Sequence, residues 1–579
     1  MLHRFFGRSR DAVKEDSLAL APDRCVELKK RGNELLAQGK LLEAGLCYLD
    51  ATLANPKDAP ALVNLGYALN EQKNFMQAQA ALRQALQLDS HQHDAHFPLG
   101  QIAQQQGDRL QTIHHFKEVL RLEPDFELAY RELGHELFLI QETAEAEKVI
   151  LEGIRRFSAS SDLHCNLGNL YGFLNLPLKA IENLEKALAL TPENAQVMSN
   201  LGAAYNMSGD PDRAIELLQR AMELAPQDAD IQCNLGISML SKRRYVEALQ
   251  CFHATIALDP NHDDGHRNLG FASLLLGDFE RGWPENEWRF TDRYRPLKSI
   301  KSFTQASWLG VESIQGKTIL LHCEQGFGDT LQFCRFAADV AARGATVVLQ
   351  VQRGLKEVLT GLAGVTHLIE EGEPLPEFDL QCPLLSLPLA LGYHKSAQLP
   401  PRDPYLQADP QRVKYWQQRL GELGMQRAPR VGVVWSGNPN YRSDHLRSMP
   451  LAEFIPLLPA GMNAICLQPG VRESDLPAAH ANDRIRHVGA ELKNFAETAA
   501  LIAALDLVIS TDTSVVHLAG AMGKPVWVLL SHAPDWRWLL NRDDSDWYPS
   551  ARLFRQSAVG DWSQPLHDIH NALLNWAQK

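Results

Sequence analysis

The chain of 579 residues lacks the features that mark several classes of protein. Its formal net charge is −13 and no basic stripe interrupts the first half, which argues against a nucleic-acid partner. No stretch reaches the ~18 continuous apolar residues of a membrane span. The basic start is followed by the charged residues 11–16 instead of the apolar core of a signal peptide. We therefore expect a cytoplasmic protein without an integral membrane segment.

Cysteine is present without any pairing pattern. The nine cysteines are odd in number, are scattered from Cys25 to Cys466 and form no Cys-x-x-Cys pair. We interpret them as small buried hydrophobic residues in a reducing compartment. Asp544 and Asp546 have the spacing of a metal-binding pair, but they lie in a polar loop with no strand before it. We therefore predict no metal and no cofactor.

Periodic glycine is the strongest pattern that the chain contains. The glycines stand 34 residues apart, at Gly32, Gly66, Gly100, Gly134, Gly168, Gly202, Gly236 and Gly270. A small residue follows twelve positions later, at Ala44, Ala78, Ala146, Ala180, Ala214 and Ala248, with Thr112 and Gly282 in the remaining two units. Such a period indicates a solenoid of helical hairpins in which each unit buries its apolar face against its neighbours.

This pattern resembles the tetratricopeptide repeat, whose small residues let two antiparallel helices approach closely. The resemblance covers about residues 25–290 and implies seven full repeats and one modified repeat. In the modified repeat we expect Pro284 to interrupt the second helix. Residues 1–24 are then an N-terminal extension, and residues 291–316 are a linker to a second domain.

Asparagine recurs two residues before the periodic glycine, at Asn64, Asn166, Asn200, Asn234 and Asn268. In the tetratricopeptide repeat this position lies on the first helix of each hairpin, which lines the concave face. Carboxamides at a regular rise suit an extended peptide backbone, which predicts that the groove binds a protein. The alternative is that each asparagine satisfies nearby backbone groups.

From Lys317 onward the pattern becomes short apolar runs followed by helices. Two series of strands are predicted, one at 318–323 and 346–351, the other at 431–435, 464–467, 507–510 and 526–530. Alternation of strands and helices indicates parallel sheets with right-handed crossovers. We therefore predict two doubly wound α/β subdomains, at residues 317–400 and 430–579, joined by the proline-rich connection 401–429.

Two loops stand out because ligands of such sheets bind at the carboxyl ends of the strands. The first loop runs from Glu324 to Asp329 and places a carboxylate at a helix start. The second runs from Ser510 to His517, and its backbone amides and hydroxyls form a site for a diphosphate. The two loops predict a cleft between the subdomains.

Both loops, in this order, resemble the glycosyltransferases of the GT-B fold that are related to bacterial heptosyltransferases. Gly328-Asp329 matches the Gly-Asp turn of the acceptor half, and Asp512-Thr513 with His517-Leu518 matches the Asp-Thr-x-x-x-His-Leu segment of the donor half. With the repeats, the chain resembles the tetratricopeptide-containing protein glycosyltransferases of bacteria, including those that modify flagellin. It resembles the O-linked N-acetylglucosamine transferases more distantly.

The resemblance implies a role for each loop residue. Asp329 is the base that takes the proton of the acceptor hydroxyl, and the residues that hold the nucleotide-sugar donor are Arg447, Asp512, Thr513, Ser514 and His517. Other roles remain open from the residues alone: Asp329 and Asp512 as helix caps, and His517 as a core histidine. Gly437 and Asn438 either contact the donor phosphates or shape their loop, and Glu324 and Gln325 either line the acceptor side or brace the turn.

The implied activity is transfer of a sugar from a nucleotide sugar to a hydroxyl of a protein, flagellin being one possible acceptor. Asn166, Asn200, Asn234 and Asn268 are the residues that we expect to contact it. Two alternatives stay open: a scaffold whose transferase half has lost catalysis, and a transferase that acts on a saccharide or a lipid-linked glycan.

Overall fold

The computed structural model describes residues 21–291, 303–395, 398–399, 404–425, 429–441 and 444–576. The chain divides into two compact units, Met1–Ser208 and Gly209–Lys579. The predicted extension 1–24 lies mostly outside the described residues, and the first helix begins at Ala21. Part of the predicted linker 291–316 also lies outside them.

The described part of the first unit consists of helices joined by short turns. Each hairpin pairs a first helix of about three turns with a second helix of similar length. The helices are α1 (Ala21–Ala37), α2 (Leu41–Ala54), α3 (Ala59–Glu71), α4 (Phe75–Leu88), α5 (His93–Gln105), α6 (Arg109–Leu122), α7 (Glu127–Leu139), α8 (Thr143–Arg156), α9 (Ser161–Phe173), α10 (Pro177–Leu190) and α11 (Ala195–Met207).

The second unit begins with the remaining repeat helices. They are α12 (Pro211–Leu224), α13 (Ala229–Ser241), α14 (Tyr245–Leu258), α15 (Asp263–Leu275) and α16 (Phe279–Asn286), followed by a 3-10 turn at Glu287–Phe290. Pro284 lies inside α16, and the helix ends two residues later, with 8 residues where α12 and α14 have 14. Proline removes one backbone hydrogen bond, and burial of Phe279 and Trp283 in the core stabilises the helix to Asn286.

The periodic glycines have a packing cause. A Cβ atom at Gly66 would lie 2.4 Å from Cγ of Leu82, and one at Gly134 would lie 2.5 Å from Cγ1 of Ile150, each on the second helix of the same hairpin. The small residue of the second helix is likewise fully buried, as at Ala78. The two helices of a hairpin therefore approach too closely for larger residues, which confirms the interpretation of the repeat.

Two parallel sheets follow the repeats within the second unit. The first has the order β3-β2-β1-β4 and is formed by β1 (Thr318–His322), β2 (Thr346–Val351), β3 (His367–Glu370) and β4 (Leu380–Pro383). Its helices are α17 (Phe327–Phe333), α18 (Ala337–Ala342) and α19 (Leu387–Leu391), and α20 (Pro410–Glu422) lies in the predicted connection.

The second sheet has the order β10-β9-β8-β5-β6-β7 and is also parallel throughout. Its strands are β5 (Val431–Val434), β6 (Ala464–Cys466), β7 (Ile485–His487), β8 (Leu507–Thr511), β9 (Val526–Leu530) and β10 (Ala551–Arg555). The helices are α21 (Asp444–Arg447), α22 (Leu451–Phe454), α23 (Leu476–Ala481), α24 (Phe495–Ala503), α25 (Ser514–Ala521) and α26 (Ser563–Trp576). The predicted fold class, a helical repeat array followed by two GT-B-like α/β subdomains, is confirmed.

Among the residues that the structure describes, no helix combines the length and the apolar character that crossing a membrane requires.

Candidate active site

The loops after β1, β5, β8 and β9 line one cleft of about 610 Å³. Phe271 of α15 also lines it, so the last repeat contributes to the wall. The cleft brings together these residues singled out from the sequence: Gln325, Asp329, Gly437, Asn438, Arg447, Asp512, Thr513, Ser514 and His517. This is the edge of a parallel sheet at which ligands bind.

Asp329 combines two of the roles considered for it. Its Oδ2 atom accepts a hydrogen bond from the backbone N–H of Gly326 at 2.8 Å, which caps α17. Its Oδ1 atom accepts from Nη2 of Arg537 at the cleft wall. Burial raises the pKa of the Asp329 carboxyl above its usual range, and Arg537 opposes that shift. The carboxylate is therefore a cap that also faces the cleft.

Arg537 was missed by sequence reasoning. Its Nε atom donates to Oε1 of Gln332 at 2.6 Å and its Nη1 atom to Oδ1 of Asp535 at 2.9 Å. The guanidinium carbon lies 4.4 Å from the ring centroid of Trp536. The sequence did contain a signal for this residue: Arg537 stands between Trp536 and Trp538, and a guanidinium packs well on aromatic faces.

Arg447 reaches the loop that precedes α25. Its Nη1 atom donates to the carbonyl oxygen of Asp512 at 2.8 Å, and its Nε atom lies 3.2 Å from Oδ1 of Asp444. The guanidinium also stacks on Tyr441, 4.5 Å from the ring centroid. A positive charge is thus held beside the start of α25.

The start of α25 is open to the cleft. Thr513 is its N-cap residue, and no side chain within the described part of the chain caps the first turn. The capping alternative therefore does not apply to Asp512. Burial and the neighbouring Asp535 raise the pKa of Asp512 to about 6. The uncapped backbone N–H of Ser514, the first residue of α25, lies at the same cleft, and N–H groups at a helix start bind anions.

His517 is buried and lines the cleft at the same time. Its Nδ1 atom lies 3.0 Å from the hydroxyl of Tyr548, and its Nε2 atom lies 3.9 Å from Oδ1 of Asp512. Burial and nearby arginines, Arg537 first, hold the pKa of His517 well below its usual range. A Cβ at Gly328 would lie 2.7 Å from Cδ2 of this histidine, so only glycine lets α17 and α25 meet here.

Glu324 braces its turn and does not line the cleft. Its Oε1 and Oε2 atoms each accept a hydrogen bond from Arg289 at 2.9 Å, and Oε1 also accepts from the N–H of Leu385 at 3.1 Å. Because Glu324 pairs with Arg289 and does not line the cleft, the structure favours the bracing role over the acceptor contact that was predicted as the other option. Gln325 does line the cleft, while its carbonyl accepts from Gln352 at 2.8 Å.

Gly437 and Asn438 both face the cleft and shape their loop. The N–H of Gly437 donates to Oγ of Ser448 at 2.9 Å, and a Cβ there would lie 2.6 Å from Nη2 of Arg447. Oδ1 of Asn438 accepts from the N–H of Asn440 at 3.0 Å. The missing side chain at Gly437 leaves room for the Arg447 guanidinium.

The aromatic cluster of the second subdomain is a packing element. Trp536, Trp538, Trp547 and Tyr548 are all buried. The ring of Phe333, from the first subdomain, lies 5.7 Å from that of Trp547, whose carbonyl accepts from Arg335 at 3.0 Å. Contacts between the two subdomains therefore account for this cluster.

Asp544 and Asp546, which have the spacing of a metal-binding pair, both contact an arginine. Arg542 forms ion pairs with both carboxylates, at 2.6 and 2.7 Å. Across the described ranges no group of three or more His, Cys, Asp or Glu side chains is arranged to hold a metal ion.

The repeat asparagines are half-buried and contact their neighbours. Nδ2 of Asn166 donates to the carbonyl of Arg131 at 3.1 Å, and Nδ2 of Asn268 donates to the carbonyl of Asp264 at 2.8 Å. Nδ2 of Asn200 lies 3.4 Å from Sγ of Cys165. Contact with nearby groups is thus observed, while protein binding at Asn166, Asn200, Asn234 and Asn268 stays a prediction.

Comparisons with known families agree with this organisation. Tetratricopeptide-repeat sequence models match residues 47–80 and 159–227. The sequence model of glycosyltransferase family 9 (heptosyltransferase) matches residues 476–537, which include the loop before α25 and Arg537. The fold and the site therefore define a repeat protein joined to a glycosyltransferase-type α/β domain.

Among individual proteins, the chain is similar to Protein FlbA of Caulobacter vibrioides, with 28% identity over 327 residues. The alignment covers 52% of this chain and 54% of FlbA, so the chain spans about half the length of this curated relative. Two solved structures are also similar, each with a TM-score of 0.36. The first is a tetratricopeptide repeat protein from Parabacteroides merdae, with 16% identity; the match covers 43% of this chain and 99% of that protein. The second is the APC/C hetero-tetramer Cut9-Hcn1, with 19% identity; the match covers 44% of this chain and 54% of that chain. The family matches and the relative together give a tetratricopeptide-repeat protein with a C-terminal glycosyltransferase domain.

Proposed function

We propose that the protein transfers a sugar from a nucleotide-sugar donor to a hydroxyl group of a protein acceptor. The observation that supports this most directly is the cleft itself. An uncapped helix start with Arg447 beside it faces a cleft whose other wall carries the half-buried carboxylate of Asp329. The wall with Arg447 can bind an anionic group, and the wall with Asp329 can accept a proton.

On the donor side, the charge to be stabilised is that of the leaving diphosphate. The amides at Ser514, the hydroxyl of Thr513 and the guanidinium of Arg447 would bind it, so that negative charge develops against fixed donors. Asp512, whose carboxyl lies beside them, would contact the sugar or ribose hydroxyls of the donor. This proposal assigns no metal and no cofactor to the site.

On the acceptor side, the reaction needs a base. The acceptor oxygen would bond to the anomeric carbon as the bond from that carbon to the phosphate oxygen breaks, and the hydroxyl proton would pass to Asp329. Burial that raises the pKa of Asp329 makes the carboxylate a stronger base than an exposed aspartate. Neutral His517, packed against Gly328, would keep the two helix starts at a fixed separation.

The repeats would supply the acceptor. Phe271 of the last repeat lines the cleft, so a protein bound along the repeat helices of this unit would have a route to Asp329. Asn234 and Asn268 in this unit would contact its backbone. Asn166 and Asn200 are proposed to make the same kind of contact within the first unit, taken by itself. Flagellin is one acceptor of this kind.

The donor half of the proposal is tested by a thermal-shift panel of UDP-, GDP-, ADP- and CMP-sugars. One nucleotide should raise the melting temperature of the wild-type protein in a concentration-dependent way, because binding stabilises the native state by mass action. The same nucleotide should shift the Arg447→Ala variant much less. If none of the four classes stabilises the protein, the transferase reading gives way to a scaffold.

The acceptor half is tested with the full chain carrying Asn166→Ala, Asn200→Ala, Asn234→Ala and Asn268→Ala together. Modification of a protein acceptor, followed by intact mass, should be lost, whereas donor hydrolysis and helical content should persist. Unchanged modification would make these asparagines structural. A free saccharide that is modified faster than any protein would replace the protein acceptor.

A further inference from the structure

The turn inside each repeat hairpin contains one residue with a left-handed backbone. It lies seven positions after the periodic glycine, and its φ angle is 73° at Gly39, 58° at Lys73, 75° at Gly107, 64° at Gln141, 57° at Asn175, 86° at Gly209, 57° at Arg243 and 81° at Gly277. Glycine adopts this conformation freely, and other L-residues adopt it at a cost in free energy. A non-glycine residue at this position therefore carries a conformational cost that other interactions must offset.

Arg243 differs from the other large residues at this position. Lys73, Gln141 and Asn175 are exposed, whereas Arg243 is half-buried. Its Nε and Nη2 atoms both donate to the backbone carbonyl oxygen of His532, at 3.0 and 2.6 Å. Two hydrogen bonds from a charged donor are stronger than neutral ones. They offset the strain of the backbone.

His532 belongs to the loop that follows β9. Ser531, Asp535 and Arg537 of this loop line the cleft, and Arg537 donates to Asp329. The loop also meets the last repeat, because the ring of Trp536 lies 5.3 Å from that of Trp283 in an edge-to-face contact. Residues 531–537 are therefore held by repeat residues on one side and hold Asp329 on the other.

We propose that Arg243 is a positioning residue, through which the seventh repeat fixes the 531–537 loop and thereby the contact of Arg537 with Asp329. The effect of Arg243 on turnover rests on the proposed transferase function, whereas its role in fixing the 531–537 loop is independent of that function. The repeats then serve as a support for the catalytic loop, in addition to recruiting an acceptor.

The structural content is tested by hydrogen exchange of the full chain, read by mass spectrometry without any ligand. Arg243→Gly removes both hydrogen bonds and installs the residue that other repeats carry. We expect the amides of residues 531–537 to exchange about tenfold faster, the factor for a lost interaction of this strength. The melting temperature should stay equal or rise by about 2 °C, because glycine relieves the strain.

Lys73→Gly is the matched control, since it makes the same change at the same turn position of an early repeat. It should leave exchange in 531–537 unchanged. Unaltered exchange of this loop in Arg243→Gly would overturn the proposal. So would a fall in melting temperature together with faster exchange throughout the second unit, because Arg243 would then be a general stabilising residue.

The catalytic consequence is tested with the nucleotide sugar that stabilises the wild-type protein. Arg243→Gly should lower kcat about tenfold while the dissociation constant of the matching nucleoside diphosphate changes less than about twofold. Arg243→Lys retains one charged donor and should restore part of the rate. If loop exchange rises in Arg243→Gly but the wild-type protein transfers no sugar, the positioning role stands and the transferase function fails. If the wild-type protein transfers sugar and Arg243→Gly matches its rate, the positioning role fails and the function stands.

Discussion

The two helix starts that meet in the cleft differ in how their backbone amides are satisfied. At the start of α17, the carboxylate of Asp329 accepts the N–H of the N-cap residue Gly326 and so places a negative charge there. The start of α25 is not closed by a side chain among the described residues, and Arg447 lies beside it. Equivalent positions in the two subdomains therefore have opposite electrostatic character. The proposed function uses this difference: it places the donor diphosphate at α25 and the base at α17.

The largest expected effect comes from removing the charge at the α17 start. Asp329→Asn keeps an oxygen for the Gly326 N–H but cannot accept the acceptor proton, so turnover should fall by about 100-fold or more. Steady-state transfer assays with a parallel melting curve would measure it.

Asp409→Asn is the matched control, because Asp409 also caps a helix, α20, but lies outside the cleft. It should leave turnover unchanged. A turnover of Asp329→Asn within threefold of wild type, at equal melting temperature, would remove Asp329 from the role of base.

Removing the cation at the α25 start should weaken donor binding. Arg447→Ala deletes a charge-assisted contact, for which about 1.5–3 kcal/mol of binding free energy is expected. Titration calorimetry with the nucleoside diphosphate measures this, and Arg419→Ala, which breaks only the ion pairs of Arg419 with Glu422 and Glu491, serves as the control. Equal affinity of wild type and Arg447→Ala would contradict the assignment.

The close contact of the two helix starts can be broken by one methyl group. Gly328→Ala would place a Cβ atom 2.7 Å from the ring of His517, and relief of this overlap should cost about 1–3 kcal/mol of folding free energy. Chemical denaturation of the full chain measures this cost. Gly172→Ala in α9, where a Cβ meets nothing within 4 Å, should be neutral or stabilising. Similar stability of both variants would show that the helix starts are not rigidly apposed.

The smallest effect concerns the pH dependence of stability at Asp512. Its pKa, raised to about 6 by burial and Asp535, exceeds the unfolded value of about 3.9. The protonated carboxyl is therefore favoured in the folded protein. The stability it contributes is complete below about pH 4 and is lost as the pH rises through about 6.

Asp512→Asn removes this titration. The melting temperature of the variant, relative to wild type, should therefore increase between pH 4 and 7. Arg447, Arg537 and His517 also face this carboxyl, so the comparison needs melting curves of both proteins across that whole range. A difference that stays constant with pH would show that Asp512 does not titrate there.

Sequence predicted those parts of the fold that depend on local periodicity. The repeat glycines follow from a packing distance within one hairpin, and strands such as β5 and β9 are fully buried apolar runs. The strands missed were β3, β4, β7 and β10. They are short, and two of them carry polar residues towards solvent: β3 is half-exposed, and β10 is an edge strand with Arg552 exposed.

The site was predicted where loops carry recognisable residues and missed where partners are distant in sequence. Asp329 and Arg537 are 208 residues apart, and no local pattern links them. Glu324 was assigned to the acceptor side as one of two options because its partner Arg289 comes from the end of the repeats. A carboxylate in a loop looks the same from sequence whether it faces a cleft or a buried arginine.

The central claim, that the α25 start binds the donor and the α17 start supplies the base, is tested most directly by one binding measurement. Titration calorimetry of the stabilising nucleoside diphosphate would compare wild type, Arg447→Ala and Asp329→Asn. The account predicts affinity about 10-fold or more weaker for Arg447→Ala and equal or slightly tighter for Asp329→Asn, which removes a negative charge. Weakened binding in Asp329→Asn with unchanged binding in Arg447→Ala would contradict it.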